Sequence, residues 1–170
     1  PSAVRYPRGS AAAVEVKDAT PEMTVSAAKP WKLGQGRLLR RGRGVAILSF
    51  GALLPEVLEA AEALDATVAD MRWVKPLDET LIARLAADHE LLVTVEDNAI
   101  AGGAGSGVCE TLARRGLHAG LLNLGLPDRF LEHGSRGEIL AQCGLDAEGI
   151  QRSVNERRRQ RDRCARLDWR

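Results

Sequence analysis

Cysteine is scarce in this chain, with Cys109, Cys143 and Cys164 the only three in 170 residues and no CxxC pair among them. An odd count without that spacing argues against a disulfide framework or a structural zinc site and fits a reducing compartment. Long apolar runs are missing too. The longest, Val45–Phe50 and Leu91–Val95, have the length of buried strands, far short of the ~18–20 residues that span a bilayer. No stretch of these residues reads as a signal peptide, and none is expected. Nor is there an excess of one charge: 24 Lys and Arg stand against 23 Asp and Glu, a net of +1, so no global field steers the chain toward nucleic acid or membrane. What remains is ordinary for a globular protein, 45% apolar and 28% charged, at a length that suits one domain with appendages.

The chain opens on Pro1, not methionine, and Ala3-Val4-Arg5-Tyr6 reads as part of a strand already under way. The expectation is a piece of a longer protein. Residues 9–36 show neither helical nor strand periodicity and read as a linker, whose far end Trp31 and Leu33 could pin onto the next domain. Eight arginines against three carboxylates give residues 151–170 a local net of +5, leaving the 150 residues before them at −4.

From residue 36 to about 150 strands and helices alternate. Gly36–Arg40 is a short strand, followed by a turn at Arg41–Gly44. Val45–Phe50, Thr67–Val74, Leu91–Val95 and Gly120–Leu124 read as strands, the first of these an unbroken apolar run covered on both faces. Between them Pro55 opens a helix with Val57, Leu58, Ala61 and Leu64 on one face. Asp78 caps a helix carrying Leu81, Ile82, Leu85 and Ala86. Another helix spans Ser106–Arg115, Ser135 caps Glu138–Cys143, and Asp146–Arg163 forms the last. This order predicts an α/β fold: a three-layer α/β/α sandwich around a five-stranded, mostly parallel sheet whose first strand is antiparallel.

The most conspicuous local motif runs from Glu96 to Gly107, with Gly102, Gly103, Gly105 and Gly107 between a strand and a helix. Phosphates often bind at such places, where free N–H groups and the helix dipole face the ligand. Here the pattern lacks a Gly-Lys-Ser/Thr ending and does not complete GxGxxG, because Val108 takes the third glycine's place. Glu96 and Asp97 would also repel a phosphate. The structural role is favoured: small residues let the loop turn and the helix pack close. His89, His118 and His133 show no metal-ligand spacing, and no nucleophile elbow surrounds a serine, so no catalytic or metal-binding residue is assigned. In the basic tail, Glu156, Asp162 and Asp168 interrupt the arginines and only Trp169 could stack on a base, which disfavours nucleic-acid binding. The Arg5-Tyr6-Pro7-Arg8-Gly9 segment brings two guanidinium groups to a strand end, a place and a chemistry suited to phosphate.

Together, Ala3–Gly9, Val45–Gly51, Asp70-Met71-Arg72-Trp73-Val74-Lys75-Pro76-Leu77-Asp78, Val93–Asn98, Gly102–Gly107 and Asn123–Asp128 resemble, in order and spacing, the C-terminal part of the 1-deoxy-D-xylulose-5-phosphate synthases. These are transketolase-like thiamine diphosphate enzymes that join pyruvate to glyceraldehyde 3-phosphate with loss of CO2. The resemblance covers residues 1–150. It implies that residues 1–9 are the last strand of a pyrimidine-binding domain, 10–35 a linker and 36–150 a transketolase C-terminal-like domain; the basic helix or tail of 151–170 departs from the family's shorter, less basic pattern and inherits nothing from it. It further implies a cytoplasmic homodimer whose thiamine diphosphate and Mg2+ sit on missing N-terminal and central domains, with no cofactor bound by this segment. One substrate role is implied, contact with the aldehyde's phosphate through Arg8, with Arg5 as the second candidate. Two rivals stand beside it: a stand-alone binding module that uses the basic tail, and the corresponding domain of a 2-oxo-acid dehydrogenase β subunit.

Overall fold

The computed structural model describes residues 1–4, 6 and 30–165, and the side chains of 162, 164 and 165 are not among the features described. Five strands, β1 (Arg37–Arg40), β2 (Val45–Phe50), β3 (Thr67–Asp70), β4 (Leu91–Ala99) and β5 (Gly120–Leu126), form one sheet in the order β1-β3-β2-β4-β5. The helices are α1 (Leu54–Leu64), α2 (Glu79–Asp88), α3 (Ala104–Arg114), α4 (Arg136–Cys143) and α5 (Ala147–Ala165). All pairings are parallel except β1 with β3. The expected mixed sheet with an antiparallel first strand is what the chain forms.

Strand β2 shows why two helical layers are needed. Its six residues are all buried, and alternate side chains enter different cores. Val45 and Ile47 join Val57, Ala61, Ile150 and Val154 on the α1/α5 face. Ala46, Leu48 and Phe50 join Ile82, Leu85, Val108 and Leu112 on the α2/α3 face. A continuous apolar strand thus supplies two half-cores at once.

Several boundaries differ from the sequence reading. The strand expected over Thr67–Val74 stops at Asp70, because Arg72 takes a left-handed backbone (φ 59°) and turns the chain away from the sheet. In the other direction, β4 runs on through Glu96 to Ala99, past the expected end at Val95, and α3 begins at Ala104, not Ser106. The tight turn after β1 makes no hairpin. Both edges of β2 are occupied by parallel β3 and β4, so β1 pairs on the outer edge of β3 instead. Helix α5 crosses residue 150 without interruption, and Val154 beyond it is fully buried.

Caps and ties fix the helices. Ser135 and Glu138 form a reciprocal capping box on α4, and the hydroxyl and amide of Ser135 hold the Glu138 carboxyl below its usual range. The Asp78 carboxylate accepts from Leu81 N (2.9 Å), capping α2, and from Gly36 N (2.9 Å) at the entrance of β1. Glu79 ties α2 to the end of α3 through Arg114 and Arg115, whose guanidinium groups lower its carboxyl pKa.

Because all five described strands of the sheet and both cores lie after residue 36, deletion of residues 1–30 is expected to leave a single sharp thermal transition. Loss of that transition in a calorimetric scan would place the removed segment in the core.

Candidate functional site

In a parallel sheet the carboxyl ends of the strands are where ligands meet α/β domains. Here the end of β4 and the start of α3 form the glycine-rich segment. Glu96, 3% exposed, points from β4 onto the α3 face, where its Oε2 accepts from Ala104 N (2.8 Å) and its Oε1 from Gly105 N (2.9 Å). One carboxylate thereby satisfies two free N–H groups of the helix and meets the positive end of its dipole. The site a phosphate would take is filled by the protein's own anion.

The glycines follow from that closeness. A Cβ on Gly103 would lie 2.4 Å from Glu96 Oε2, and one on Gly105 would lie 2.5 Å from Thr94 Oγ1. Thr94 in turn donates to Asn123 Oδ1 (2.9 Å), joining β4 to β5 beneath the helix. Gly107 faces Leu77, while Gly102 turns the chain at φ 74° with open space around it. Sequence reading placed Glu96 in the loop as a repelling charge. Its role as the cap was readable only from the strand's parity, since Leu92, Thr94 and Glu96 share one face.

A second arrangement lies at the end of β3. Arg72 Nε donates to Asp70 Oδ2 (3.0 Å), and its guanidinium carbon sits 4.7 Å from the centroid of the Trp31 ring. Gly34 packs against Pro76, whose bond to Lys75 is cis. Trp31 thus does touch the domain, yet it and Leu33 keep more than half their surface exposed. The Trp31–Arg72 contact could not be read from sequence, because nothing local links a linker tryptophan to an arginine 41 residues on.

At the opposite, amino-terminal edge of the sheet, α5 lays its arginines over the strands. Arg157 donates to the Leu121 carbonyl (3.1 Å) and Arg161 to that of Glu90 (2.7 Å). Two of the tail's cations are therefore engaged with the backbone. His89 is held on both sides. Its Nδ1 faces the Leu85 carbonyl (3.0 Å), which can only accept, and its Nε2 lies 2.7 Å from Thr67 Oγ1. His118 and His133 are exposed. Among the described residues no group of three or more His, Cys, Asp or Glu could hold a metal ion, and no helix is long and apolar enough to cross a membrane. Arg5 and Arg8, the phosphate candidates, lie outside the described residues.

With this geometry, the family described as "Transketolase, C-terminal domain" matches residues 34–150. The chain belongs to the transketolase C-terminal domain family. Among its relatives, the 1-deoxy-D-xylulose-5-phosphate synthase of Thioalkalivibrio sulfidiphilus is 55% identical over 157 residues, covering 92% of this chain and 23% of that protein. The synthase of Nitrosococcus oceani is 58% identical over 154 residues, with 91% and 23% covered. The chain thus spans about a quarter of the relatives' length, within their C-terminal part. Among solved structures, a split-gene transketolase described as an inactive β4 tetramer is 30% identical with a TM-score of 0.68, covering 74% of this chain and 42% of that one. Transketolase from Campylobacter jejuni, 14% identical with a TM-score of 0.54 over 72% of this chain and 18% of its own, shares the fold alone.

In this transketolase C-terminal domain, Glu96→Ala should leave two helix N–H groups unsatisfied and cost roughly 1–3 kcal/mol in denaturant unfolding. Glu96→Gln keeps one acceptor and should cost less. Equal stability of the alanine variant and the wild type would show that the cap carries no weight.

Proposed function

We propose that this chain is the C-terminal domain of a 1-deoxy-D-xylulose-5-phosphate synthase. The observation that carries the proposal is the 55% identity across 92% of the chain to a protein of that name. The whole enzyme would be a transferase that condenses pyruvate with glyceraldehyde 3-phosphate, releases CO2 and feeds isoprenoid precursor synthesis in the cytoplasm. Thiamine diphosphate supplies carbanion chemistry to such enzymes and Mg2+ holds its diphosphate. The described residues do not fit that pair. The helix N-terminus best placed for a diphosphate is taken by Glu96, and no metal-holding cluster lies among them. The cofactor site is assigned to the N-terminal and central domains of the longer enzyme, and no reaction step is routed through this chain.

On this reading the domain's own work is architectural: it packs against the central domain and helps complete a homodimer. Its one contribution to substrate would come from the Ala3–Gly9 segment, where Arg8, or secondarily Arg5, meets the phosphate of the aldehyde. A guanidinium suits this because its planar fork matches two phosphate oxygens at once. The rival reading, a stand-alone module that binds an acidic partner through its tail, is weakened because Arg157 and Arg161 already serve backbone carbonyls.

Calorimetric titration of the isolated chain with thiamine diphosphate and Mg2+ should give no micromolar binding, and such binding would refute the assignment of the cofactor elsewhere. In the full-length enzyme Arg8→Ala should lower kcat/KM for glyceraldehyde 3-phosphate by roughly one to two decades, the worth of one charge-assisted contact. Cofactor affinity should hold, and an unphosphorylated aldehyde should be little affected. Equal losses for both aldehydes would remove the phosphate role.

A further inference from the structure

The two edges of the sheet are unlike. Among residues 30–165 the exposed large apolar side chains are Trp31, Leu33, Val74, Ile100 and Phe130. Val74 follows β3, Ile100 follows β4 and Phe130 follows β5, while Trp31 and Leu33 precede the antiparallel β1, so all five belong to the carboxyl edge. The amino edge carries instead the arginines of α5 on backbone carbonyls. Scattered apolar residues on a surface need no explanation, but confinement to one edge does.

Arg72 lies within this apolar group. Its φ of 59° and the hydrogen bond from Trp73 N to Met71 O make it the centre of a γ-turn of the strained hand. Asp65, the other described non-glycine residue with positive φ, simply ends α1. The Arg72 side chain is only 15% exposed, pinned through Nε by Asp70 and backed by the Trp31 ring. Its Nη1 and Nη2 find no hydrogen-bond partner among the described residues. A strained backbone and a stacked aromatic therefore hold a guanidinium fork still, and no described residue takes up its outer face. Such a fork matches a carboxylate, and arginine and tryptophan set in an apolar surround are the residues that dominate protein interfaces.

We infer that the carboxyl edge is a docking surface for the preceding domains of the longer enzyme, with Arg72 as its polar anchor receiving an Asp or Glu carboxylate of those domains. The inference rests on the reading of the chain as a synthase C-terminal domain. The occupant follows from length, since about three quarters of each relative lies outside the matched part, and from the charge and geometry of the open fork.

The test compares the isolated 170-residue chain with the same chain carried in place of the last quarter of the Thioalkalivibrio sulfidiphilus synthase. Amide hydrogen exchange is read at residues 31–34, 72–75, 100–103 and 128–132, with 41–44 and 156–161 as the opposite-edge control. The expected result is slower exchange at the carboxyl edge in the chimera and little change at the control. Arg72→Gln should reverse the added protection by about 30-fold or more, and Arg72→Lys should restore only part of it. An active chimera with no edge-specific protection would overturn the docking surface while leaving the synthase reading intact. An inactive chimera with the edge protected would overturn that reading and leave the surface standing. Concentration-dependent protection already present in the isolated chain would make the occupant a second copy and overturn the proposed one. Should Arg72→Gln fail to fold, full wild-type protection in Arg72→Lys would overturn the forked carboxylate contact.

Discussion

Strand β2 has no free edge and no free face, and the rest of the domain is arranged around that confinement. Parallel neighbours occupy both of its edges, and helices on either side must cover its alternating side chains. A parallel strand cannot return by a hairpin, so each connection must become a helix, and those helices are the layers the strand needs. The antiparallel β1 is pushed outward and pairs with β3 along the edge that β2 does not use.

The same logic decides what the carboxyl end of the sheet can do. A loop of small residues after a buried strand is often taken as a cradle for phosphate, yet the physics asks only for some anion at the helix N-terminus. Here the anion is covalently attached. Glu96 brings α3 so close that a methyl group at position 103 or 105 would strike side-chain oxygens. A glycine-rich loop can therefore be the consequence of a buried carboxylate, with no ligand involved.

The fold was largely legible because it is written in long apolar runs and in caps. Val45–Phe50 and the Asp78 and Ser135 caps sit where residue chemistry put them. What escaped was set by tertiary partners. Met71, Trp73 and Val74 are residues a strand would hold, but the chain leaves the sheet at Arg72, whose side chain meets Asp70 and Trp31 in contacts no periodicity encodes. The extension of β4 to Ala99 looked like loop because Glu96, Asp97 and Asn98 are polar, and only the position of α3 makes a buried glutamate affordable there.

Asp78 carries a consequence for the order in which the chain can assemble. Its carboxylate holds the entrance of β1 at Gly36, 42 residues earlier, and β3, the strand with which β1 pairs, also comes later in the chain. During synthesis, then, the partners that β1 finds in this sheet are not yet made when it emerges. It must wait until α2 has begun, with chain closure entropy set against it until then. The first strand of this sheet to be made is therefore seated only after β3 and the start of α2. A pause in translation between Arg40 and Asp78 would prolong the life of an unpaired strand, the kind of edge that invites misassembly.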